Sequence, residues 1–301
     1  MYDVIIVGGG PAGLSAALIL GRCLRNVLVC DTGNQRNIRS HAMHGYLTQD
    51  GITPSDFLDL AHADLEQYET ISFDESAVVS ATRQSKNRFR VTLENGETKE
   101  ARRLLLATGV VDEIPPVDGL DQFYGTSVFH CPYCDGWEVR DQPLVIYGKG
   151  PRVAAFAMTA RIWSKRLLVC TDGPALFSDE DRGLLSRHQI PVREDRILRL
   201  EGDGGQIEQI IFEAGPPHDC RALFFTTGQR QGSSFAADFG CEFNEKGAVL
   251  TGRCEITNVP GLFVAGDASK ATQFVIVAAA EGAEAAVEIN RSLEEEDRVP
   301  Q

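Results

Sequence analysis

Two cysteines stand at the spacing of a redox pair, Cys131-Pro132-Tyr133-Cys134, and Asp135 and Gly136 follow at once. Thiols so spaced can close a small disulfide ring, and a helical turn beginning at the pair stabilises the thiolate of the leading cysteine. Asp135 is placed to pass a proton to a departing substrate thiol. A structural disulfide and half of a zinc site are the competing readings. A tetrahedral zinc site calls for a second pair at matching spacing, and the sequence has none, so no metal is expected. Glutaredoxin-like folds share Cys-Pro-Tyr-Cys but lack the glycine turns described next. Cys23, Cys30, Cys170, Cys220, Cys241 and Cys254 are scattered singly and read as small buried hydrophobes. His130, just before the pair, is a candidate for tuning Cys131 or moving a proton. His41 and His44 read as ordinary loop packing.

The second constellation is the turn Gly8-Gly9-Gly10-Pro11-Ala12-Gly13, set between the apolar run Asp3–Val7 and the helical pattern from Leu14. A second strand, Asn26–Cys30, ends at Asp31, about 20 residues downstream. In that context the glycines let backbone approach a pyrophosphate at a helix N-terminus, and Asp31 accepts hydrogen bonds from a ribose. The same grammar recurs: strand Leu144–Tyr147, a degraded turn Gly148-Lys149-Gly150-Pro151-Arg152-Val153, a helix, and strand Arg166–Cys170. Each copy closes on a strand running into glycine, through Ala107-Thr108-Gly109 and Thr226-Thr227-Gly228. This is an internal duplication of a dinucleotide-binding unit.

The elements imply an α/β protein of two Rossmann-like dinucleotide-binding domains, the second inserted in the first. Residues 1–115 and 245–301 form the first, and 116–244 the second, with Ile114-Pro115-Pro116 as linker. A small-residue helix is expected from about Val277 to Leu293, and the acidic Glu294–Asp297 as a solvated end. Hydrophobic residues at 43% and charged ones at 24% describe a globular chain rather than a disordered or fibrous one. A net charge of -14 argues against nucleic acid, which needs a clustered positive field. No run approaches a membrane span. A strand beginning at Tyr2 leaves no signal peptide, so a cytoplasmic protein is expected.

Together Gly8–Gly13, Asp31, Ala107-Thr108-Gly109, Cys131–Gly136 and Gly261–Asp267 resemble the low-molecular-weight thioredoxin reductase family of flavoproteins, over nearly the whole chain. The resemblance implies a flavin-dependent disulfide oxidoreductase with FAD in the first domain, held by Gly8, Gly10, Pro11, Ala12, Gly13, Asp31, Ala107, Thr108, Gly109 and Gly266. It implies Asp267 at the ribityl chain, Gln273 and Phe274 by the isoalloxazine ring, and Arg36 at the phosphates. Cys131 and Cys134 are then redox-active beside the flavin, with Asp135 as proton shuttle. A homodimer and a thioredoxin-like protein or small dithiol or disulfide as partner are implied as well.

The chain departs from the family in the second turn. Val153 stands where Gly or Ala lets the helix close on the strand. After Cys170 comes Thr171-Asp172, where family members that use NADPH carry arginines for the 2′-phosphate. NADPH is therefore not expected to be the electron source, and NADH is expected to be poor. Three classes stay open: a reductase of protein disulfides, a dithiol oxidase using O₂, and a non-enzymatic flavin redox sensor. Ferredoxin is a further electron source, for which Arg152, Arg161, Lys165 and Arg166 could form a basic patch.

Overall fold

Strand β1 (Tyr2–Val7) is apolar from Val4 onward because neighbours cover both its faces there, and those last four residues are buried. Helix α1 (Pro11–Arg22), strand β2 (Val27–Cys30), helix α2 (Pro54–Leu65), strand β3 (Ile71–Asp74), the hairpin β4 (Val78–Ser85) and β5 (Arg88–Leu93), and strand β6 (Thr98–Leu106) follow. In the computed structural model, which describes residues 1–298, these strands form a sheet of order β3-β2-β1-β6-β5-β4. The β1, β2, β3 and β6 pairings are parallel, and Leu262–Val264 joins the sheet parallel to β6. The carboxyl ends of β1, β2 and β6 therefore lie along one edge, where an open α/β sheet takes its ligand.

The chain divides into two compact units, one of Met1–Ile38, Gly45–Val111 and the chain from Arg230, the other of Arg39–His44 and Asp112–Gln229. The return to the first unit falls at 229/230, whereas punctuation in the sequence suggests 244/245. The reason lies in packing: Phe235, Ala236 and Cys241 are buried in one cluster with Phe89, Leu104 and Val249 of the first unit.

The last helix spans Val275–Asp297, two residues earlier than expected and through the acidic segment. Its small-residue face meets α1 so closely that a Cβ on Gly282 would lie 2.0 Å from the Ala12 carbonyl oxygen. Glu294–Asp297 is not a solvated end. Glu296 pairs with Arg102 at 3.1 Å and with Arg103 at 2.8 Å, and Asp297 with Arg25 at 2.9 Å. Arg103 is 5% exposed, so its charge needs such a partner.

The second unit is built on a parallel sheet of order Val192–Arg193, Leu167–Cys170, Leu144–Tyr147, Ala222–Phe225, Val128–Phe129. A three-stranded antiparallel sheet, Ile197–Asp203, Gln206–Phe212 and His218–Asp219, belongs to the same unit. Among the described residues, no helix is long and apolar enough to cross a membrane.

Candidate active site

The first glycine turn is rigid at its ends and open in its middle. Gly8 donates its N–H to the Cys30 carbonyl at 2.8 Å, and a Cβ on it would meet the Ala107 carbonyl oxygen. A Cβ on Gly13 would lie 1.9 Å from the Gly8 carbonyl oxygen, so only glycine lets α1 close on β1. Gly10 is different: it is the N-cap of α1, no side chain caps the helix, and its Cβ position faces open space. The first-turn N–H groups are thus presented to an anion. Asp31, just past β2, accepts from Gly33 N–H at 3.2 Å and Gln35 Nε2 at 2.7 Å. Ala107, Thr108 and Gly109 leave β6 alongside, and the Thr108 hydroxyl accepts from Ser233 Oγ at 3.2 Å.

Arg36, Asp267 and Gln273 are brought together in the same unit. The Arg36 guanidinium lies 2.9 Å from the Asp267 carboxylate and 2.7 Å from Gln273 Oε1. Gly266 has φ +83°, which a glycine adopts freely. Phe274, half-buried, is the extended N-cap of the last helix, again without a side-chain cap. The turn and Arg36, Asp267 and Gln273 fit a dinucleotide that carries a charged, hydroxyl-rich linker.

In the second unit Cys131 and Cys134 are joined in a disulfide, with Cα atoms 5.3 Å apart. Cys131 caps the short helix Pro132–Asp135, and its Sγ accepts the Cys134 N–H at 3.2 Å, a contact that would also stabilise a thiolate. Gly136 ends that helix; a Cβ there would lie 2.7 Å from the Trp163 indole, so the backbone packs directly against Trp163. Burial pushes the Asp135 carboxyl up to about 7, and Glu138 adds to the shift. A carboxyl so poised gives and takes a proton near neutrality.

The family of pyridine nucleotide-disulphide oxidoreductases matches residues 2–282. The chain belongs to that family. The thioredoxin reductase sirT of Leptosphaeria maculans is 31% identical over 96% of this chain and 94% of its own. A protein assigned as a thioredoxin reductase in Arthroderma benhamiae is 40% identical over 152 residues, 49% of this chain but only 38% of that one. A crystal structure assigned as the thioredoxin reductase TrxB of Bacillus anthracis superposes with a TM-score of 0.93 at 31% identity, covering 99% of this chain and 100% of that one. The protein is thus a thioredoxin reductase-like flavoprotein and a flavin-dependent disulfide oxidoreductase, and its family membership implies FAD.

Against that family background the second turn stands out. Helix Arg152–Ala160 starts from Pro151 in a helical conformation, and Val153 is fully buried. The position of a Cβ on Gly148 is taken by Thr226 Oγ1 and Val153 Cγ2. Asp172, expected to face a nucleotide's ribose or phosphate, is turned inward. Its carboxylate accepts from Ile197 N–H at 2.8 Å and Tyr147 OH at 3.3 Å, with the Lys149 ammonium at 4.0 Å. Arg152 and Arg161 sit at opposite ends of one helix, roughly 13 Å apart along its axis.

His130, just before the pair, is held by a tyrosine and a carboxylate of the same unit. The His130 ring lies 3.6 Å from Asp112 Oδ2 and 3.5 Å from Tyr124 OH, which itself donates to Asp112 at 2.7 Å. His44 faces Glu138 at 3.5 Å. Sequence reasoning missed Asp112 and Tyr124, which no motif marks. It also missed Glu281, whose charge on a face of alanines and glycine was a usable signal.

Proposed function

We propose that FAD lies in the first unit, with its pyrophosphate at the N-terminus of α1 over Gly10, Pro11, Ala12 and Gly13, and its ribose at Asp31. Ala107, Thr108, Gly109 and Gly266 line the same edge, Arg36 and Asp267 meet the phosphate and ribityl portion, and Gln273 and Phe274 flank the ring. FAD supplies a store for two electrons. Cys131 attacks the partner sulfur and Cys134 is the thiol that exchanges electrons with the flavin. Asp135 holds the proton that the leaving thiolate takes up. Two electrons and two protons pass between an external dithiol and the Cys131–Cys134 disulfide in each exchange. The partner is a thioredoxin-type protein or a small dithiol or disulfide.

NADPH is not the electron source in this reading. The observation that carries it is the contrast at the third position and the helix entry: Gly13 and an extended N-cap at Gly10 in the first turn, a fully buried Val153 and a helical N-cap at Pro151 in the second. The same contrast favours a second reading, a dithiol oxidase in which the substrate dithiol is the electron source and O₂ is reduced to H₂O₂. Anaerobic stopped-flow mixing with NADPH, NADH, reduced ferredoxin and a dithiol, followed at the flavin band, tests both. Bleaching by a dithiol, with O₂ consumed on turnover in air, supports the oxidase. Reduction by ferredoxin supports a reductase fed from that side, and no turnover with any of them leaves a redox sensor. Rapid bleaching by NADPH at micromolar concentration overturns the reading.

A further inference from the structure

Glu281 occupies the buried stripe of the last helix and is 6% exposed. One oxygen accepts the Gly266 N–H at 2.8 Å, and the other lies 4.0 Å from Lys270 Nζ. Lys270 is drawn more closely to Glu255, 2% exposed, at 3.1 Å, and Thr251 also donates to Glu255 at 2.9 Å. Two buried carboxylates thus share one ammonium, and a negative charge is left over beneath the Gly266–Asp267 turn. Asp267 also acts on Glu281, and it is itself paired with Arg36.

The position of Glu281 ties it to both cofactor loops. Its neighbour Gly282 packs on the Ala12 backbone at the start of α1. A Cβ on Gly266 would lie 3.1 Å from Ala12 Cβ, so the Gly266 turn and the α1 N-terminus touch directly above it. Burial pushes the Glu281 carboxyl up to about 7; Glu255 and Asp267 add to this, and the Gly266 N–H and Lys270 oppose it.

We propose that Glu281 is a positioning residue for FAD: it fixes the Gly266–Asp267 turn by accepting the Gly266 N–H, and it takes up one proton from solvent when the pyrophosphate binds. The inference rests on the FAD placement proposed above. A pyrophosphate brings two negative charges to the end of α1, and in a low-dielectric site the surplus carboxylate beneath is relieved most simply by protonation. The neutral acid still accepts from Gly266 through its carbonyl oxygen, so the turn keeps its shape. Proton uptake on binding requires that affinity fall as pH rises through the carboxyl's titration range.

The test uses the full chain stripped of flavin and titrated with FAD by calorimetry in two buffers of different ionisation enthalpy. For the wild-type chain, uptake approaches one proton near pH 8, and FAD affinity drops roughly ten- to thirty-fold between pH 6 and pH 8.5. Glu281→Gln, which keeps the acceptor and removes the charge, binds without uptake and with a flat pH profile. Glu281→Ala loses the acceptor and binds FAD more weakly at every pH. Equal uptake and equal pH slopes in the wild-type and Gln chains overturn the inference while leaving the FAD placement intact. Failure of the wild-type chain to bind FAD at any pH overturns both.

Discussion

The two glycine turns share a backbone frame and differ in what they offer a ligand. Gly8 and Gly148 each donate to the carbonyl of a strand-ending cysteine, Cys30 at 2.8 Å and Cys170 at 3.0 Å. Ala107 and Thr226 each donate to the residue closing the first strand, Val7 at 2.8 Å and Tyr147 at 3.0 Å. Past that point the copies part. In the first, Leu14 N–H reaches the Gly10 carbonyl at 3.0 Å and helix begins from an extended N-cap. In the second, Val153 N–H closes a tighter turn onto Gly150 at 3.2 Å, and the helix is nine residues rather than twelve. Frame hydrogen bonds stabilise the sheet whether or not a nucleotide is bound, whereas an extended helix entry that leaves first-turn N–H groups open is what an anion requires.

The largest effect is expected at Gly10. Its φ of −75° suits any residue and its Cβ would touch nothing, so Gly10→Leu should fold normally and yet purify colourless, with the anion site blocked. Gly150→Leu, whose Cβ is equally free, should remain yellow and keep its thiol–disulfide exchange rate. Flavin content by absorbance checks both, and loss of flavin from Gly150→Leu would break the comparison.

Exchanging the third residue of each turn comes next. Gly13→Val forces a branched side chain to within 1.9 Å of the Gly8 carbonyl and should cost about 3 kcal/mol or more, with flavin lost, in a denaturant titration of the variant. Val153→Gly leaves a cavity and a glycine in a helix and should cost roughly 2–3 kcal/mol, with flavin kept.

Much of this frame was legible in the sequence. The apolar run into Gly8–Gly13, the Asp31 after β2 and the second copy of the pattern are local signals, because each side chain's role is set by neighbours close in the chain. Cys131–Asp135 is equally local. What was not legible depends on distant contacts. The inward turn of Asp172 depends on Ile197 and Tyr147, and nothing near Cys170 announces either. The acidic Glu294–Asp297 resembles a solvated tail until Arg102 and Arg103 are seen beside it. The return at 229/230 follows from where Phe235 and Cys241 are buried, which no punctuation marks.

A smaller effect is expected at Asp135, which tests the second unit for its thiol–disulfide chemistry. Asp135→Asn should slow exchange about 100-fold with unchanged flavin content. The wild-type acid is half-protonated near pH 7, so its rate as proton donor should fall as pH rises above 7, and the Asn variant should lack that limb. Because the folded-state value lies above 3.8, the folded chain binds the extra proton between about pH 4 and 7. Asp135 therefore lowers stability progressively as pH rises through that window, and Asn should flatten the corresponding slope of Tm against pH.

The smallest effect is expected at Asp172, and it separates two reasons for excluding NADPH. If charge excludes it, neutralising the carboxylate should admit the 2′-phosphate and flavin should then bleach on mixing. If packing excludes it, neutralisation changes nothing, because Val153 still stands where the first turn has Gly13. The structure favours packing: the Asp172 carboxylate is committed to Ile197 N–H and Tyr147 OH, and Lys149 lies beside it. Asp172→Asn keeps an oxygen for Ile197 N–H, offers its amide N–H to the Tyr147 hydroxyl, which turns from donor to acceptor, and loses the weak pairing with a half-exposed lysine, about 0.5 kcal/mol. Its flavin content, exchange rate and lack of reduction by NADPH in anaerobic stopped flow should all match the wild-type chain. Fast NADPH reduction in this variant would show that the second turn still admits a nucleotide and that one charge held it off.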